Sequence, residues 1–184
     1  MLKENIDNYV ATPYTKVRRG PDSYTESIEI TVIELDRLVN LYKTTAGAQR
    51  LRLVRDAIDH WLRRYHGYAI RGSIGSHYAT KESVSSKDRI FEHVVPASKT
   101  RDLLLQGILT AEQAINMPTC FVSKKQDLAL NKSGRVSSTS NLWIFFERYN
   151  IFTDAIATHD GQAIDPTKWS LEDHFNYFNI IKEQ

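Results

Sequence analysis

Cysteine is nearly missing from this chain of 184 residues, where Cys120 stands alone. It can close no intrachain disulfide and build no thiolate zinc site, so zinc-finger readings fall away and a reducing compartment, or no redox role, is expected. Long apolar runs are missing too. The opening MLKENIDNYVATPYTK is polar, without the apolar stretch of a signal peptide, and no later segment approaches the roughly 18 apolar residues that span a bilayer. The expectation is a cytoplasmic protein with no membrane partner. Neither sign of charge dominates, because 24 Lys and Arg face 22 Asp and Glu for a formal net charge of +2. That total announces no nucleic-acid partner, although segregated charge would not show in the sum. Internal repeats are absent as well. What remains is the balance of an ordinary globular protein, 41% hydrophobic and 25% charged, at a length that suits one domain or two subdomains sharing a core.

Residues 1–26 mix Asn, Asp, Pro, Gly and Thr without a period and read as loop, with Arg18-Arg19-Gly20-Pro21-Asp22 as a turn. Ile28-Glu29-Ile30 alternates like a short strand, and Thr31 with Glu34 forms a capping box that predicts a helix from near Val32. Val32, Leu35, Val39 and Tyr42 share its face. A second helix is predicted from about Gly47 to His66, because Leu51, Val54, Ile58, Leu62 and Tyr65 recur at three and four residues and Gly67 offers a stop. Its other side carries Arg50, Arg52, Arg55, Arg63 and Arg64. These are either a solvated face paired with Asp56 and Asp59 or a phosphate-contacting surface. Residues 67–88 read as a connection with one short strand.

The segment Arg89-Ile90-Phe91-Glu92-His93-Val94-Val95-Pro96 joins strand-forming residues to a proline that ends regular pairing. Ser98 can cap a short helix through Leu105, with Gly107 as its stop, and Thr110 with Gln113 forms another capping box before Pro118. Thr119-Cys120-Phe121-Val122 reads as a strand, and Ser123 with Gln126 opens a helix through about Asn131. A Ser/Thr tract, Ser137 to Ser140, leads into an apolar helix from Asn141 to Tyr149. A last helix is expected from Leu171 to about Ile181, started by Ser170 with Asp173.

An acidic residue followed by His occurs three times, at Asp59-His60, Glu92-His93 and Asp173-His174. The first and last fall in amphipathic helices, where a surface His is the ordinary explanation. Only Glu92-His93 ends a strand. A neutral imidazole has the pKa to take a proton from water near neutral pH, which makes His93 a candidate general base. A hard divalent cation such as Mg²⁺ or Mn²⁺ prefers carboxylate oxygens with water left in its shell, which suits Glu92. On a strand Glu92 points away from His93, so a twist or bulge is needed for both to act on one phosphate.

Glu-His-Val-Val-Pro, followed by a strand and a capped helix, resembles the HNH nuclease family, in which a ββα unit holds one divalent metal ion. Val122-Ser123-Lys124-Lys125-Gln126-Asp127 resembles the family's second strand and first helical turn. Leu130 to Gly134 and Arg148-Tyr149 resemble sequences that follow it in some bacterial and phage members. The resemblance covers about residues 89–151. It implies an α+β fold, mostly helical with a small antiparallel ββα-metal unit, and a catalytic role for His93. It also implies metal ligation by Glu92 and by Asp127, where the family often carries His or Asn. Asn131, one turn on, is the alternative ligand. Asn116 is the candidate for the central Asn that orients the catalytic His, although a helix-ending Asn explains it equally. Asp127 also suits a helix N-terminus.

Three segments follow: 1–88, a helical region for recognition or oligomerisation, with a homodimer among the options; 89–151, the nuclease-like core; and 152–184, a C-terminal helix on that core. Lys99, Arg101, Lys124, Lys125, Lys132 and Arg135, with Arg52 and Arg55, are the candidate nucleic-acid contacts. The expected activity is a metal-dependent DNA endonuclease without a small-molecule cofactor. The competing expectation is an inactive nucleic-acid- or protein-binding module on the same scaffold.

Overall fold

The structure, a computed structural model, describes residues 21–71, 75–132, 145–151 and 154–178. Helix α1 (Pro21–Thr44) and helix α2 (Ala48–Tyr65) open the described residues and pack on each other. Ile28, Thr31, Leu35, Leu38 and Val39 are buried along α1. This stripe at helical spacing already starts at Ile28, so neither the strand expected at 28–30 nor a helix start near Val32 is found, and Thr31 lies inside the helix. Proline at the first helical position forfeits no intrahelical hydrogen bond. In α2 the buried residues are Val54, Ile58, Leu62 and Tyr65, as the spacing predicts. Gly67 does not stop it. The helix continues through a π-helical turn, His66–Ile70, which buries His66, Ala69 and Ile70.

Among the described residues, five strands form one open sheet in the order β2-β3-β1-β4-β5. They are β1 (Tyr78–Thr80), β2 (Arg89–His93), β3 (Thr119–Ser123), β4 (Ile156–Thr158) and β5 (Ala163–Ile164). β2 pairs antiparallel with β3, while β1 pairs parallel with β3 and antiparallel with β4. The fold is therefore α+β with a small mixed sheet. The antiparallel pair expected from the sequence is present inside it, and β1 is the short strand expected within residues 67–88, but the β4–β5 hairpin is additional. The strands of that hairpin, three and two residues long, carry too little alternation to be read in advance.

Short helices fill the connections: α3 (Lys81–Ser85), α4 (Ala97–Leu105), α5 (Ala111–Ile115), α6 (Lys124–Lys132) and α7 (Leu171–Tyr177). The capping boxes at Thr110/Gln113 and Ser170/Asp173 form, and Ser123 and Gln126 exchange the same two bonds. α4 starts at Ala97 with Pro96 as its cap, not at Ser98, and stops near Gly107, whose φ of 72° suits a residue without a Cβ. Near the end of the apolar stretch from Asn141 the structure has a 3₁₀ turn, Glu147–Ile151. Residues 141–144, the Ser/Thr tract and the expected end of the last helix lie outside the described residues. One hydrophobic core runs from Ile28 to Phe178, through all three segments. No described helix is long and apolar enough to cross a membrane.

Candidate functional site

His93 closes β2, and the pairing is unbroken from Arg89 opposite Ser123 to His93 opposite Thr119. Side chains along an unbroken strand alternate, so His93 shares a face with Phe91 while Glu92 takes the opposite one. The bulge that would turn both toward one phosphate is not found in this pair.

On the Glu92 face, α6 packs across β2 and β3 and touches the 3₁₀ turn. That turn sends Arg148 inward. Arg148 is buried, and its Nη2 donates to Glu92 Oε1 in a buried ion pair and to the His93 carbonyl at 3.3 Å. Its guanidinium also lies 5.4 Å from the Tyr149 ring centroid. One side chain thus ties the end of β2 to the segment after α6.

On the other face, the His93 ring meets Phe91 edge-on at 5.7 Å and lies 4.9 Å from the His66 ring, tilted by 46°. The Nε2 atom of His93 is buried without a hydrogen-bond partner. Burial first, then the positive charges of Arg63 and Arg148, holds its pKa down to about 4, so the ring is neutral at pH 7. This is the protonation state a general base requires. The same face carries a row of Phe91, Phe121, Ala79, Ala157 and Ala163, one residue from each strand. A groove of about 740 Å³ opens over part of that row, with Lys81 and Arg89 at its edge. The Arg89 guanidinium sits 4.3 Å over the Phe121 ring.

No family model, curated protein or solved structure matches this chain. The chemistry of the site must be read from its own side chains.

Asp127, half-buried on α6, accepts a hydrogen bond from Asn131 Nδ2 at 3.2 Å. Among the described residues no three His, Cys, Asp or Glu side chains gather as a metal-holding group. With Glu92 in its ion pair with Arg148, the carboxylates as placed do not fit a shared Mg²⁺ or Mn²⁺ site. Asn116 is fully buried at the end of α5, where its Nδ2 donates to Glu112 O and its carbonyl accepts from His174 Nε2. Its Oδ1 is buried without a partner.

The basic candidates divide. Lys99, Lys124, Lys125, Lys132 and Arg52 are exposed. Arg101 is buried and bonds Asp59 at 2.7 Å and Asp102 at 2.9 Å, and Arg55 reaches the same Asp102 at 2.9 Å. Both therefore join α2 to α4. Arg135 lies outside the described residues.

The roles of two side chains of the site, His66 and Arg148, were not read from sequence. His66 follows Leu62 by four residues and so continues the buried face of α2, a signal masked by treating Gly67 as the end of the helix. Arg148 follows the apolar run Trp143-Ile144-Phe145-Phe146 after Glu147, and in sequence nothing separates it from a solvated surface charge. His60 is exposed as expected, but His174 is not a surface residue. It is fully buried in a hydrogen-bonded chain in which Trp169 Nε1 donates to Tyr78 Oη, Tyr78 Oη to His174 Nδ1, and His174 Nε2 to Asn116 O, each at 2.8 Å.

Proposed function

We propose that the protein is an HNH-type endonuclease that hydrolyses phosphodiester bonds in DNA, with His93 as the general base. The observation that carries this reading is the placement of His93. It ends the first strand of an antiparallel pair that leads directly into α6, and the ring is neutral, lacks a partner at Nε2, and stands in the field of Arg63 and Arg148. Neutral imidazole takes the proton of an attacking water, and the exposed Arg63 favours the approach of a phosphodiester anion. The basic groove edge at Lys81 and Arg89 lies on the same face of the sheet, where a strand can be held by phosphate contacts. Mg²⁺ or Mn²⁺ belongs to this reading through the resemblance alone. Its donors would be Glu92 and Asp127, both held in other bonds.

The ion pair of Glu92 with Arg148 favours a second reading, in which the scaffold binds nucleic acid without cutting it. Incubation of the purified protein with supercoiled and single-stranded DNA, with and without Mg²⁺ or Mn²⁺, separates the two. Cleavage that is lost in His93→Ala, with DNA binding retained, supports the enzyme. Binding without cleavage in any metal supports the module.

A further inference from the structure

His66 and His174 are both buried imidazoles whose Nε2 meets a main-chain carbonyl, Ile115 O at 2.8 Å in one case and Asn116 O at 2.8 Å in the other. A carbonyl only accepts, so each ring carries its proton on Nε2, and Nδ1 of the neutral ring is a bare lone pair. For His174 that lone pair receives the Tyr78 hydroxyl, and the chain is complete. For His66 it receives nothing: Nδ1 is buried without a partner, although a buried polar atom is rarely left so. Beside it, 4.9 Å between ring centroids, stands His93 with its own buried and unpartnered Nε2.

One of these atoms can only accept, and the other is able to donate. His66 also opens the π-helical turn at the end of α2, a local widening of the kind often found at functional sites.

We propose that His66 is the positioning residue for His93: its Nδ1 accepts the His93 Nε2 proton through one bridging water. This fixes the His93 tautomer with Nδ1 unprotonated, and Nδ1 is then the atom that takes a proton from the attacking water. The catalytic consequence rests on the nuclease reading. The pairing of the two rings does not.

Long-range proton–nitrogen spectra of the labelled imidazoles near pH 7 test the pairing. The wild-type protein should show His93 protonated at Nε2. In His66→Leu, which has no acceptor, His93 should drift to a mixture of tautomers. His66→Asn, whose Oδ1 can stand near the place of Nδ1, should restore the Nε2 form. In a cleavage assay His66→Leu should lower kcat about 10- to 100-fold with KM nearly unchanged, the scale of losing an orienting partner, and His66→Asn should recover most of it. Wild-type His93 protonated at Nδ1 overturns the proposal, even if His66→Leu fails to fold. So does an unchanged tautomer in a folded His66→Leu. If the tautomer responds as expected but no DNA is cut, the nuclease reading falls and the pairing stands. Cleavage with neither variant altering tautomer or kcat leaves the nuclease and removes the pairing.

Discussion

Removing one partner of a buried ion pair strands the other charge, and Glu92 with Arg148 is such a pair. Arg148→Met should lower stability by about 3–5 kcal/mol in urea unfolding, and adding Glu92→Gln should recover part of that loss. Were the single and double variants equally unstable, the pair would not be what holds the end of β2. His93 gives a pH prediction. Its pKa of about 4 means that the neutral ring persists as the medium is acidified and is lost only on passing that value, so the acidic limb of a cleavage profile should have its midpoint near 4. A midpoint near 6.5 would indicate an imidazole open to water. At this scale the sequence was informative about His93, because Glu-His-Val-Val-Pro marks a strand end locally. It was silent about the partners. Arg148 lies 55 residues from His93 and His66 lies on another helix, and only folding brings them together.

Elements whose start is written in a few adjacent residues were legible, and those decided by distant packing were not. Thr110, Ser123 and Ser170 cap their helices as local chemistry dictates. The helix of α1 instead runs over residues with turn and strand composition because the stripe from Ile28 to Val39 is covered by other elements. Gln126 shows how one cap is extended into the sheet. Its Oε1 accepts from the Ser123 amide at 2.9 Å and from Thr80 Oγ1 at 2.7 Å, and its Nε2 donates to Asp154 Oδ2 at 3.1 Å. Gln126→Ala removes these partners inside a buried site and should lower stability by about 1–3 kcal/mol in a thermal melt. A change within error would mean that water replaces the amide there.

Across the whole molecule, several imidazoles are kept neutral by burial. His174 is pushed down to about 3, and His66 and His77 move in the same direction. In the unfolded chain these rings bind protons below about 6.5, whereas in the folded one His174 does not until about 3. The unfolded state therefore holds more protons in that window. Stability is complete above it and falls as the pH drops, by about 1.4 kcal/mol per pH unit from His174 alone. Urea midpoints measured from pH 7 to pH 4 should fall more steeply than one histidine predicts, and His174→Phe should flatten part of the slope. A flat profile would mean that water reaches these rings in the folded protein.

The wide turn after α2 contains more chain than an α-helix needs. Gly67 itself is exposed, and a methyl group added there would touch nothing, so its replacement is sterically open. Its deletion removes that surplus residue, so the segment can close as a regular α-helical turn while Ala69 and Ile70 keep facing the interior. At this position the fold accepts a change of length as well as a change of letter.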